Sequence, residues 1–249
     1  MKKYVIPIFL IQYLFSQTGY DVATAIDSKA EPKDMKSDLT MVLTNSKGKT
    51  RSSTIRSITK DGGEKQIIWF LSPADDKGVA FLKIERDGKD DEMRLWLPAF
   101  KKVRRIKSSN KGDAFMGSDM SYEDMTNRNL DEFTYELAGK ETINGKECHI
   151  LISKPKPELR STYSQHRTWV TIGDNIVLKE ESYDRSGKLL KKKEIKSQKI
   201  KEYNTPVEIY VENVQKHHST KLTFDGLELD TGVEDDLFQE KNLKRLPRK

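Results

Sequence analysis

The sequence holds a single cysteine, Cys148, in 249 residues, so the chain cannot form an internal disulfide. Cys148 sits in the apolar run Cys148-His149-Ile150-Leu151-Ile152 and reads as a small buried hydrophobe. Histidine is scarce as well. His149, His166, His217 and His218 are the four, and none stands in an HExxH or comparable ligand spacing. A zinc site draws three or four converging ligands, so no metal is assigned. There is no glycine-rich nucleotide loop, no CxxC pair and no GxSxG nucleophile elbow. Gly117-Ser118-Asp119 lacks the second glycine and the strand-to-helix setting, and no histidine partner is evident. With these absences goes any motif for nucleotide, dithiol, metal or serine-hydrolase chemistry. No catalytic residue and no cofactor is expected.

Long hydrophobic runs are missing too. The most apolar stretch is residues 4–15, broken only by Pro7 and Gln12, preceded by Lys2 and Lys3 and followed by the small Ser16. It is too short to span a bilayer and has the layout of a secretory signal peptide over 1–16. No cysteine follows it to carry a lipid, so the mature chain is expected to be exported and soluble, as a single domain over 17–249. Hydrophobic residues make up 35% and charged residues 34%; the apolar ones recur in short alternating runs, which favours a sheet with a wet face over disorder. Basic residues gather at 101–105, 188–201 and 241–249 under a formal charge of +6, mixed with acids as at Lys193-Glu194. They read as solvated strand faces with at most a weak, transient attraction to anionic membrane surfaces. Nucleic acid is not expected: the chain is exported and shows no stacking-aromatic motif.

What is present is period two. After a short amphipathic helix over 20–30, with Val22, Ile26 and Ala30 at four-residue spacing and Pro32 as terminator, the chain alternates almost to its end. Turn signals at Asn45-Ser46-Lys47-Gly48, Asp61-Gly62-Gly63 and Asn144-Gly145 join the runs. Residues 66–71 are apolar on both faces, as in a strand covered on both sides. The pattern predicts a mainly β, antiparallel meander of about eleven strands, closed by a helical turn near Asp235-Asp236-Leu237-Phe238.

One stretch breaks the alternation. Residues 115–125 pack two aromatics, three methionines, a glycine and three carboxylates between the two halves of the strand series. Ser121-x-x-Asp124 has capping-box spacing, and Ser118 and Asp119 offer an alternative cap. Capping is favoured over an acid/base pair for these carboxylates, because acids in a first turn complement the helix dipole. Phe115, Met116, Met120 and Tyr122 are expected to face an apolar interior, with Gly117 shaping the turn.

Several motifs together resemble those of the outer-membrane lipoprotein-sorting proteins, a LolA/LolB-like group of periplasmic carriers. They are Phe70-Leu71-Ser72-Pro73 with Asp76-Lys77-Gly78 and Phe81-Leu82, then Leu95-Trp96-Leu97-Pro98-Ala99 and Arg104-Arg105-Ile106. The most specific is the run from Phe115 to Asp124, where the family usually has phenylalanine at the position of Met120; Gly187, Leu190 and Lys191 follow later. The resemblance implies a half-open antiparallel β-barrel with helices across its mouth. It also implies a non-catalytic periplasmic carrier of lipid or lipoprotein acyl chains, with an inner-membrane transporter and an outer-membrane acceptor as partners. An accessory protein of an envelope transporter, without lipid cargo, is the alternative. Some relatives are lipid-anchored, and this chain departs from them in lacking the cysteine. Trp69, Leu71, Phe81, Leu95, Leu97, Phe133 and Tyr135 join Phe115, Met116, Met120 and Tyr122 as candidates for the cavity wall.

Overall fold

Turn chemistry sets the path of the chain. In the computed structural model, which describes residues 17–86 and 88–247, Asn144 and Gly145 both take positive φ (51° and 78°), as a two-residue hairpin requires. They join β7 (Phe133–Ile143) to β8 (Lys146–Pro155). The same logic of short turns runs through β1 (Asp34–Thr44), β2 (Thr50–Lys60), β3 (Lys65–Ser72), β4 (Ala80–Ile84), β5 (Glu92–Leu97) and β6 (Lys102–Ile106). It resumes in β9 (Tyr163–Thr171), β10 (Val177–Asp184), β11 (Leu189–Ile200), β12 (Tyr203–Asn213) and β13 (His218–Leu229). The expected signal peptide over 1–16 lies outside the described residues.

All thirteen strands form one antiparallel sheet in the order β6-β5-β4-β3-β2-β1-β13-β12-β11-β10-β9-β8-β7. The count corrects the expected eleven. Short strands such as β4 and β6, five residues each, are the easiest to leave out of such a count. The chain walks outward from β1 to one edge, β6. It crosses to the far edge, β7, and walks back until β13 pairs with β1. The edge strands β6 and β7 do not pair with each other, so the sheet is open.

The crossing segment shows that the sheet curls. Phe115 N–H donates to Met120 O at 2.7 Å and Ala114 bridges Ser121, which closes a tight loop. Tyr122 stacks on Phe81 of β4, centroids 5.6 Å apart, while Asp124, two residues on, meets Lys191 of β11 at 2.6 Å. Six strand spacings separate β4 from β11, roughly 29 Å in a flat sheet. Only a sheet wrapped around the segment brings both within its reach.

On the inner face, Leu39, Met41, Ile55, Ile68, Phe70, Phe81, Met93 and Leu95 form one core with Phe115 and Tyr122. On the outer face, Ile58, Ile67, Trp69, Ala80 and Leu82 are covered by Val233, Phe238 and Leu243 of the C-terminal segment. β3 is therefore sandwiched, as its doubly apolar sequence requires. Asp34 pins that segment: its carboxylate accepts from Thr231 N and Oγ1, Gly232 N and Val233 N at 2.7–3.1 Å. Trp69 Nε1 donates to Asn242 O in α2 (Glu240–Leu243).

The N-terminal helix α1 (Gly19–Asp27) opens on a capping box in which Thr18 and Asp21 bond reciprocally. It ends three residues before the expected Ala30, with Ser28 as C-cap. Pro32 disfavours helical backbone at Glu31. Its apolar stripe of Val22, Ala23 and Ile26 packs on Leu151 and Val170, with Tyr135 and Leu137 alongside. Gly19 is required where helix meets strand: a Cβ there would lie 2.7 Å from Glu136 N of β7.

Candidate functional site

The eleven residues expected to line one cavity are divided among three places. Phe81, Leu95 and Leu97 meet Phe115, Met116, Met120 and Tyr122 in the inner core. Phe81 is fully buried, and Phe115 and Tyr122 are 5% exposed, so this half of the wrapped sheet is filled by the chain itself. Trp69 and Leu71 lie on the outer face under the C-terminal segment. Alternation explains the split: Ile68 and Phe70 point inward, so Trp69 and Leu71 point out. Phe133 and Tyr135 border an open cavity.

That cavity has a volume of about 1080 Å³; it lies between α1, the segment 123–132 and the inner face of β7–β10, and extends past Gly62, Glu85, Lys89, Lys111 and Arg160. One wall is apolar: Ala23 and Ile26 of α1, Leu130, Phe133, Tyr135, Leu151 and Val177. Beside it the lining is polar and ordered by ion pairs. Glu180 of β10, 5% exposed, accepts from Arg128 Nη1 at 2.5 Å and Nη2 at 3.0 Å, from Lys193 Nζ at 3.0 Å and from Thr168 Oγ1 at 3.3 Å. Burial alone would push this carboxyl up; the Arg128 and Lys193 charges hold it well below the usual range. His166 of β9, 1% exposed, is held neutral, its pKa lowered to about 3 by burial and then by the Arg128 charge.

A second buried cluster adjoins the first. Asp124 takes Lys191 Nζ at 2.6 Å and Tyr163 Oη at 2.8 Å, and Lys191 also donates to Tyr163 Oη at 2.6 Å. The pKa of Asp124 falls to about 2: burial opposes this, and the charges of Lys191 and Lys193 outweigh it. Asp124 Oδ2 also accepts from Ser121 N at 2.7 Å and Oγ at 2.9 Å, and Ser121 Oγ accepts from Asp124 N at 3.3 Å. These reciprocal bonds straddle the start of one 3-10 turn, Glu123–Met125, whose N-cap position is Tyr122.

The remaining carboxylates of the segment fasten it elsewhere. Glu123 accepts from Ser161 Oγ, Thr162 N and Thr162 Oγ1. Asp119, expected to lack a histidine, has one: His218 Nδ1 lies 2.7 Å from its Oδ2, and Thr220 Oγ1 donates to the same oxygen at 2.7 Å. The histidine comes from β13, too distant in sequence for a motif to show. Ser118 Oγ is not part of this pair; it bonds with the backbone of Met120. Gly117 takes φ +76° beside Met116 at +48°, which makes the sharp turn at the tip of the segment. Buried Lys83 ties its end, donating to Met125 O at 2.7 Å and pairing with Glu85.

The sequence singled out none of Arg128, Tyr163, Glu180 or Lys193; it showed Lys191 only as part of the family resemblance and His166 only as one of four scattered histidines. A signal was there: across the middle of β9–β11 the inward row of His166, Thr168, Glu180, Ser182, Lys191 and Lys193 is polar, and it returns to apolar only at Val170 and Val177. Among the described residues no cluster of three or more metal-ligating side chains occurs, and no helix is long and apolar enough to cross a membrane.

A family model described as an uncharacterized protein matches residues 62–245. The structure superposes with a TM-score of 0.85 on a DUF1329 family protein from Desulfovibrio piger, 31% identical, covering 90% of this chain and 97% of that one. It superposes equally, at 0.85, on a putative outer membrane lipoprotein-sorting protein domain from Vibrio parahaemolyticus. That domain is 29% identical, with 91% and 98% covered. A LolA superfamily protein from Nitrosomonas europaea, 18% identical with a TM-score of 0.72 over 91% and 99%, shares the fold. No curated protein matches the chain.

Proposed function

The chain belongs to the DUF1329 family, and from that premise we propose that it is a periplasmic carrier of amphiphiles, exported by a cleaved signal peptide. It would bind lipid, or the acyl chains of lipoproteins, and move them towards the outer membrane without a catalytic step. The open, curled sheet is then a half-open barrel, and α1 is the helix at its mouth. The observation that carries this reading is the cavity of about 1080 Å³ beneath α1, with its apolar wall from Ala23 to Val177. It lies just above the roughly 300–1,000 Å³ of ordinary ligand cavities. The likeness to the lipoprotein-sorting domain adds support.

The energetics suit a carrier. Burying an acyl chain gains about 0.8 kcal/mol per methylene, so a sixteen-carbon chain is disfavoured in water by up to about 12 kcal/mol. Transfer from bilayer to a dry wall is nearly neutral, which allows loading and unloading. Native mass spectrometry and lipid extraction of protein purified from the periplasm test the reading. A bound amphiphile, displaced by a bulky residue at Ala23 or Leu151, is expected. Protein that is free of lipid and takes up none from vesicles would leave the second reading, an accessory protein that works by contact. The feature favouring that alternative is the filled inner core around Phe115, which leaves half of the barrel no room for cargo.

A further inference from the structure

A cavity for alkyl chains alone has no use for a buried polar wall. His166 Nδ1 lies 3.2 Å from Arg128 Nη2 and 2.9 Å from Ser182 Oγ. Arginine only donates, so Nδ1 is the acceptor and the ring proton sits on Nε2. That N–H has no acceptor among the described residues, although His166 is 1% exposed and borders the cavity. Arg128 spends its two Nη groups on Glu180 and His166, and its Nε–H likewise meets no acceptor among the described residues. Its side chain is a third exposed and borders the same cavity. Two N–H donors thus stand unused on one wall. The charges behind them, Arg128, Lys191 and Lys193 against Asp124 and Glu180, leave one positive in excess. Near the mouth the sign reverses: Asp27, Glu31, Glu132 and Glu158 border the cavity, none in an ion pair among the described residues, and they outnumber the two unpaired cations of the same lining, Lys89 and Arg160.

Resting on the carrier reading, we propose that Arg128 and His166 receive the phosphate oxygens of a zwitterionic amphiphile, with its acyl chain along Ile26, Phe133 and Leu151 and its ammonium towards the acidic mouth. Phosphate supplies the acceptors and the negative charge that the two donors and the excess cation call for. The acidic mouth selects a head that also carries a cation, as phosphoethanolamine does and phosphoglycerol does not.

Three probes test this on the mature full-length chain, stripped of bound lipid, by calorimetry or displacement of a fluorescent lipid. They are lysophosphatidylethanolamine, a monoacylglycerol of the same chain length and inorganic phosphate. The phospholipid is expected to bind at least about tenfold more tightly than the monoacylglycerol, the size of charge-assisted hydrogen bonds. His166→Phe and Arg128→Gln are each expected to erase that difference. His166→Gln, which keeps an oxygen for Arg128 and an N–H for the ligand, is expected to retain most of it, so a variant that fails to fold does not decide the matter. Equal binding of the two amphiphiles, or a difference that survives His166→Phe, overturns the headgroup site and leaves the carrier reading standing. Binding of neither amphiphile overturns both. Inorganic phosphate bound as tightly as the phospholipid, and lost in Arg128→Gln, assigns the wall to a free anion and overturns the lipid head.

Discussion

The two halves of the curled sheet solve the same problem by opposite means. Around β1–β6 the inner face is apolar and is filled by Phe115, Met116, Met120 and Tyr122 of the crossing segment. Around β9–β11 the inner face is charged, and the same segment meets it with Asp124 and Arg128. The first half gains stability from dispersion and dehydration, with the crossing segment packed into it. The second is held by ion pairs, which are directional and do not close the gap to α1, and there the cavity remains. A half that is packed full is a foundation; a half held by discrete bonds can leave room for a guest.

Five measurements break or sharpen that contrast. The largest effect is expected in the charged half. Asp124→Ala strands Lys191, whose side chain is 10% exposed, and should cost about 3–5 kcal/mol in a denaturant titration. Combining Asp124→Leu with Lys191→Met should restore most of it, since a hydrophobic pair of similar volume replaces a buried ion pair at little cost. Failure of the double variant to recover would mean that these charges organise the fold beyond their mutual pairing. In the apolar half, Phe81→Ala should cost about 3–5 kcal/mol through the cavity it leaves, yet leave amphiphile affinity unchanged. A large affinity change there would erase the distinction between the halves.

Gly117→Val forces a β-branched residue to φ +76° and should cost about 1–3 kcal/mol. The nearest side-chain atom to an added Cβ, Leu43 Cδ1, lies 3.9 Å away, so the cost arises from the backbone. Gly117→Asn should therefore be markedly milder, and equal losses for the two would point to crowding instead. His166 gives the charged half a pH dependence. It is neutral in the fold with a pKa of about 3, whereas the unfolded chain protonates it near 6.5. The unfolded state thus binds more protons below pH 6.5. Stability is full above that value and falls by up to about 1.4 kcal/mol per pH unit towards pH 3. His166→Gln should flatten this slope in melts at pH 7 and pH 5, and an unchanged slope would place its origin elsewhere. The smallest effect concerns α1: Thr18→Ala removes the cap and should cost about 1 kcal/mol, seen as faster amide exchange in residues 19–27.

Much of the first half was legible in the sequence. Period two in Leu39, Met41 and Leu43 and the doubly apolar 66–71 correspond to β1 and β3, and in the second half the turn at Asn144-Gly145 corresponds to the β7–β8 hairpin. The bridging role of 115–125 was legible because it alone broke the alternation. The charged half was not. Arg128 and Glu180, or Asp124 and Lys191, are brought together by the wrapping of the sheet, and no spacing along the chain encodes that distance. The residue facing inward could not be told for Trp69 either. In a strand covered on both sides, both parities are apolar and the pattern carries no direction.

The return of the chain to its starting strand has a consequence for its birth. Each of β2–β6 can pair with the strand before it, but the other edge of β1 waits for β13, the most distant strand of the sheet in sequence. The partners of Asp119, Glu123 and Asp124 also come after the segment that needs them. A nascent chain that stops short of β13 therefore exposes an unpaired edge beside the apolar inner face, a template for misassembly with its neighbours. Cooperative closure must follow completion of the chain, so truncation near the C-terminus should harm this protein far more than the modest length removed would suggest.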